Sequence, residues 1–197
     1  KEQTMNQRGN HNFYNAVEAN PIIAAVKNMD DVENCCRIEE IKVVFILFGD
    51  ICSLEEIINK IKKAGKTAVV HVDLINGLSS KEIAVEYIKK NTAADGIIST
   101  KISLIKKAKE EGLYTVLRYF LLDSMAVENI RQQQNQVRPD FIEVLPGVMP
   151  KVIGKLYSFV KVPIIAGGLI VDKEDVMEAL DAGAMAVSTT NHQVWKM

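Results

Sequence analysis

The sequence predicts a single-domain (β/α)8 barrel of the TIM type with short loops. Two observations carry that prediction. Apolar runs of strand length alternate with amphipathic helical stretches eight times, as a parallel sheet wrapped by helices requires. The last two runs end in Gly167-Gly168 and in Ser188-Thr189-Thr190. In an eight-fold barrel the loops after strands seven and eight are a recurrent phosphate site. An open, doubly wound sheet is the competing architecture, because periodicity does not register closure. The regular count of units and the paired glycine and hydroxyl endings favour the barrel. A chain of 197 residues can bury a sizeable core but is short for this fold, so its loops must be short.

The elements follow in order. Residues 1–19 read as a polar, Asn/Gln-rich tail of low order, partly a processing remnant, followed by a short helix. Asn12 is placed to cap that helix, with Phe13 and Val17 at i, i+4 facing the lower end of the barrel. The barrel domain spans 20–197. Its first strand is Pro21 to Val26, and Asp30 caps a helix to about Glu39. The second strand is Lys42 to Asp50. Ser53 with Glu56 forms a capping-box pattern for a helix over 53–64, closed by Gly65. The third strand is Thr67 to Leu74, and a helix starts at Ser79 or Ser80 and runs to about Lys90. The fourth strand, Asp95 to Thr100, precedes a helix over 101–111 that stops at Gly112. The fifth strand is Tyr114 to Leu121, and Ser124 caps a helix over 125–137. Pro139 and Asp140 break the chain before the sixth strand, Phe141 to Leu145. Pro150 suits the first turn of the next helix. The seventh strand is Val162 to Ala166, the next helix covers 172–182, and the eighth strand is Ala184 to Ser188. Asn191 to Met197 is a short final helix that packs Trp195 against the barrel.

Composition bounds function. The net charge of -1 gives no sign of nucleic-acid binding. Lysines 60, 62, 63 and 66, and 106, 107 and 109, are explained by favourable helix-dipole interaction and solvation at helix ends. Arg131 to Arg138 reads as a solvated helix face. Cys35, Cys36 and Cys52 are too few and too poorly spaced for zinc or a disulfide framework, which suits a reduced, cytoplasmic setting. No apolar run approaches a membrane span.

Polar residues at the carboxyl ends of the strands are the candidate ligand contacts. These are Asp50, His71, Asp73, Lys101, Arg118 and Glu143, beside Gly167, Gly168, Ser188, Thr189 and Thr190. Glycine lets backbone N–H groups approach an oxyanion, and hydroxyls donate to it. His71 and Asp73, two apart on a strand, share one face. Each residue also has a structural reading. Arg118 and Glu143 form either an ion pair plugging the barrel or a donor–acceptor pair for hydroxyls. His71 reads as a hydrogen-bonded core histidine. Asp50 either caps a turn or joins the site. Lys101 at a helix start opposes the dipole and so favours an anionic partner. Asp50 with Asp73 is too small a set to argue a magnesium site, and no cofactor is expected.

The motifs HVDLI (His71 to Ile75), DGIIST (Asp95 to Thr100), FIEVLPG, PIIAGG and STTN with Trp195 resemble the bacterial glycerol-3-phosphate-responsive antiterminators over about residues 20–197. The resemblance implies a non-catalytic barrel with glycerol 3-phosphate as effector and leader mRNA as partner. It implies a phosphate held by Gly167, Gly168, Ser188 and Thr189, with Thr190 capping or donating. Asp73, Glu143 and Arg118 would read the glycerol hydroxyls. No motif marks an RNA surface, so a local basic patch or the groove of a homodimer would have to supply it. The alternative is a barrel enzyme (isomerase, synthase or lyase) on a small phosphate ester, using His71, Asp73, Lys101 and Glu143 as acid and base groups.

Overall fold

Near-continuous apolar runs on the strands allow the sheet to bury both of its faces. In the computed structural model, which describes residues 13–197, eight parallel strands close in chain order into a barrel. They are β1 Ile22–Val26, β2 Val43–Ile46, β3 Thr67–His71, β4 Gly96–Ser99, β5 Tyr114–Phe120, β6 Phe141–Leu145, β7 Ile164–Gly167 and β8 Ala186–Thr189. Helix α1 (13–19) precedes them. The crossover helices are α2 Met29–Arg37, α3 Leu54–Lys63, α4 Glu82–Asn91, α5 Ile102–Glu110, α6 Ser124–Gln133, α7 Pro150–Tyr157 and α8 Lys173–Asp181. Short 3-10 turns follow β3 (Val72–Leu74) and β8 (Val194–Lys196).

Two apolar cores result. The outer one lies between sheet and helices, with Leu54, Ile57, Ile58 and Ile61 of α3 typical of a helix face at 3.6-residue spacing. The inner one fills the barrel with every second residue: Ile23 and Ala25, Val43 and Phe45, Val69, Ile98, Val116, Phe141, Ile165 and Ala186. Phe13 and Val17 of α1 plug its lower end, as their spacing predicts, and the Phe13 ring meets Phe141 edge-on at 4.9 Å. The same period of two carries the inward face upward to His71, Arg118, Glu143, Gly167 and Ser188. The barrel is therefore dry at the bottom and polar at the top.

Several boundaries differ from expectation, each for a local reason. The expected tail over 1–12 and the Asn12 cap lie outside the described residues. Helix α2 is capped by Asn28, whose side chain accepts from the Asp31 amide, so Asp30 sits inside the first turn. It ends at Arg37, two residues short of Glu39. Ser53 occupies the cap position of α3 but makes no side-chain cap bond, so the capping box does not form. Asp123, not Ser124, caps α6 by accepting from the Ala126 amide at 3.0 Å. That helix stops at Gln133 rather than residue 137. The chain end is a 3-10 turn rather than a helix from Asn191, yet Trp195 is fully buried and donates to the Thr189 carbonyl at 2.8 Å. Lys66 is not a solvated helix-end lysine. It is 4% exposed, its ammonium donates to the Ile38 and Ile41 carbonyls, and burial lowers its pKa.

A barrel mouth with one open and one closed side

The site is built where the interior turns polar. Arg118 and Glu143 stand opposite each other in the β5–β6 register, and Arg118 Nε donates to Glu143 Oε2 at 2.6 Å. Glu143 has no exposed surface. Its other oxygen accepts from the Ser188 hydroxyl at 2.5 Å, across the intervening β7. Gly167 makes this reach possible. A Cβ there would lie 2.6 Å from both Glu143 Oε1 and Ser188 Oγ. The first glycine of the pair thus clears space for a buried hydrogen bond. The second has a different reason: Gly168 sits at φ +77. Leu169 follows at φ 62, a left-handed conformation unusual for a residue with a side chain.

Above this network lies a cavity of about 460 Å³ between the loops after β7 and β8, with Arg118, Glu143, Gly168, Leu169, Ser188 and Thr190 in its wall. The two loops face each other. They are tied by the Thr189 hydroxyl donating to the Ile170 carbonyl at 2.7 Å and by the Asn191 side chain donating to the Val171 carbonyl at 2.8 Å. Asn191 is a site residue that the strand-end reading missed, although it stands in the STTN run. The amides of Gly168, Leu169, Ile170 and Thr190 donate to no acceptor among the described residues. Among the described residues Arg118 donates only through Nε, which leaves the rest of its guanidinium for a ligand. A cavity edged by unpaired amides and a guanidinium is suited to an anion.

The hydroxyls themselves are a correction. Ser188 and Thr189 donate to Glu143 and to Ile170, so neither has a proton left for a phosphate. Among the described residues the Thr190 hydroxyl has no partner, so it and the backbone amides are the donors still free at this cavity.

The other side of the mouth is closed on itself. Strand β3 ends at His71, so Asp73 falls in a 3-10 turn and does not continue the His71 face. The Asp73 carboxylate accepts from the Ser99 hydroxyl, the Thr100 amide at 2.8 Å and the Thr100 hydroxyl. It joins the β3 and β4 loops and does not line the cavity. Lys101 does have an anionic partner, but an internal one: its ammonium is 3.9 Å from Asp73 and bonds the Ser80 hydroxyl. His71 is 3% exposed, and its Nδ1 has no hydrogen-bond partner, contrary to the expected satisfied core histidine. Burial, then the Arg118 charge, pushes its pKa down to about 4, so it is neutral near pH 7. Asp50 is a turn residue: its carboxylate accepts the Cys52 and Ser53 amides at 2.9 Å each, and these bonds lower its pKa. Among the described residues no group of three or more His, Cys, Asp or Glu is placed to hold a metal. No helix among them is long and apolar enough to cross a membrane.

Comparisons with known proteins agree with this architecture. The family model described as glycerol-3-phosphate responsive antiterminator matches residues 22–195. A protein of Escherichia coli K12 described as uncharacterized is 46% identical over 178 residues, covering 90% of this chain and 93% of that protein. The crystal structure of a glycerol uptake operon antiterminator regulatory protein from Listeria monocytogenes is 33% identical, with a TM-score of 0.86. It covers 90% of this chain and 95% of its own. A glycerol uptake operon antiterminator-related protein from Thermotoga maritima is 40% identical, with a TM-score of 0.77, covering 89% and 98%.

Proposed function

From the premise that the chain belongs to the glycerol-3-phosphate responsive antiterminator family, we propose that glycerol 3-phosphate binds in the cavity between the β7 and β8 loops. The role is regulatory antitermination. The observation that carries the ligand assignment is the set of unpaired amides at Gly168, Leu169, Ile170 and Thr190 around one cavity. They would hold the phosphate, with the Arg118 guanidinium completing the charge. Glu143, whose oxygens retain lone pairs beyond the bonds from Arg118 and Ser188, would accept a glycerol hydroxyl. The loaded protein would then bind leader mRNA in the cytoplasm without turning the ligand over. Of the four acid and base candidates for an enzyme only Glu143 lines this cavity: Asp73 and Lys101 pair with one another, and His71 is buried and neutral.

A ligand shifts a regulatory equilibrium only by its differential affinity for two states. Trp195 is already buried and bonded to Thr189, so the chain end does not need the ligand in order to pack. The change would instead lie in the Gly168–Leu169 turn. The test is retention of leader RNA with and without saturating glycerol 3-phosphate, and with glycerol as the ligand lacking phosphate. Coupling of the usual size raises RNA affinity roughly 5- to 150-fold. Equal affinity in all three arms at several salt concentrations removes the switch. Glycerol acting as well as glycerol 3-phosphate removes the phosphate site.

A further inference from the structure

We infer that the RNA surface is a cleft at the opposite end of the barrel, formed by Tyr14, Lys109, Arg138 and Lys161 beside the amino ends of β6 and β7. This rests on the antitermination reading above. The cleft measures about 310 Å³ and is walled by those four residues with Pro139, Asp140 and Pro163 among others. Lys109, Arg138 and Lys161 are all exposed, and they come from three separate stretches of the chain. The Lys109 ammonium bonds the Arg138 carbonyl, and Arg138 Nη2 lies 3.5 Å from the Lys161 carbonyl, which draws the cations together. The Lys161 ammonium has no partner among the described residues. The one carboxylate in the wall, Asp140, is engaged by the Thr115 amide and hydroxyl at 2.8 Å each.

Two further features point to single-stranded RNA. Tyr14 is 43% exposed and stacks against Phe141 at 6.3 Å, so its ring is fixed from one side and open on the other. A fixed aromatic beside clustered cations is the arrangement that stacks a base and holds its phosphates. The same end of the barrel carries a second recess near β1, and there the charged residues are Glu39, Glu40 and Lys42. The net charge of -1 therefore hides a segregated distribution, positive beside β6 and β7 and acidic beside β1. Strands β6 and β7 also join the two sites. Phe141 borders the cleft while Glu143 and Leu145 wall the effector cavity, and Pro163 and Gly168 do the same at the two ends of β7.

The test uses filter retention of single-stranded leader RNA in saturating glycerol 3-phosphate. The triple variant K109Q/R138Q/K161Q should retain glycerol 3-phosphate affinity and lose RNA. Its slope of log affinity against log salt should be shallower by about two, from three phosphate contacts at ~0.7 each. Tyr14→Leu should weaken RNA roughly 5- to 150-fold. Lys161→Gln alone guards against misfolding, because its ammonium bonds nothing among the described residues, and should lower the slope by ~0.7. Unchanged RNA affinity and slope in these variants would overturn the cleft while leaving the effector reading intact. Loss of polyglutamate binding with RNA retention preserved would overturn it in favour of an acidic protein. Wild type that retains no RNA with the effector present would defeat both the cleft and the antitermination reading beneath it.

Discussion

The two sides of the barrel mouth carry similar residues and do different things. The β3–β4 side holds His71, Asp73, Ser99, Thr100 and Lys101, and these groups bond mostly to one another. The β5–β8 side holds Arg118, Glu143 and Ser188, equally tied together, but beneath an open cavity with unpaired amides at its edge. A polar residue at the end of a barrel strand is thus weak evidence for a ligand. What separates the sides is leftover hydrogen-bonding capacity that faces an open cavity, since the unpartnered His71 Nδ1 of the closed side is buried. On the open side most of that capacity belongs to the backbone, around the left-handed Gly168–Leu169 turn.

The largest effect should come from Glu143→Ala. It strands a nearly buried Arg118 and unmakes the Ser188 bond, and breaking a buried pair from one side costs ~3–5 kcal/mol. Urea unfolding measures it. A loss under ~1 kcal/mol would mean that the network is solvated and the open side extends deeper than described.

Next comes the pH dependence of the closed side. The His71 pKa is depressed to about 4 in the folded protein against 6.5 when unfolded, so the unfolded chain binds the extra proton between those values. The His71 contribution is fully present above pH 6.5 and is lost as pH falls toward 4, by up to ~3 kcal/mol. Thermal or urea unfolding of wild type against His71→Leu should show this slope in wild type alone. A slope that persists in the variant would assign it to other groups.

The smallest effects give the sharpest contrast between the sides. Gly168→Val places a branched side chain at φ +77, with its Cβ 3.2 Å from Leu145. It should lower stability by ~1–2 kcal/mol and glycerol 3-phosphate affinity at least tenfold. Asp73→Asn should also lower stability by ~1–2 kcal/mol, through its bonds to Ser99 and Thr100, yet change ligand affinity less than about twofold. Calorimetric titration of both variants decides the matter. A large affinity loss in Asp73→Asn would return the β3–β4 side to the ligand site.

The amino-acid sequence by itself determined the eight units and their order, because these depend on local periodicity and on the chemistry of turns and breakers. It also determined β6 from Phe141 to Leu145, the Arg118–Glu143 pairing of neighbouring strands and the burial of Trp195. Helix caps were less legible. Asn28 against Asp30 and Asp123 against Ser124 are choices between adjacent good cappers, settled by one residue of backbone geometry. Only the tertiary structure decided the use of each polar group. Gly167 is explained by Glu143 and Ser188, which lie 24 and 21 positions away in the chain. Asp73 is satisfied from the β4 loop, and the cations of the lower cleft meet from three separate segments. A side chain's character is local, but the partner that exhausts its hydrogen bonds is brought to it by closure of the barrel.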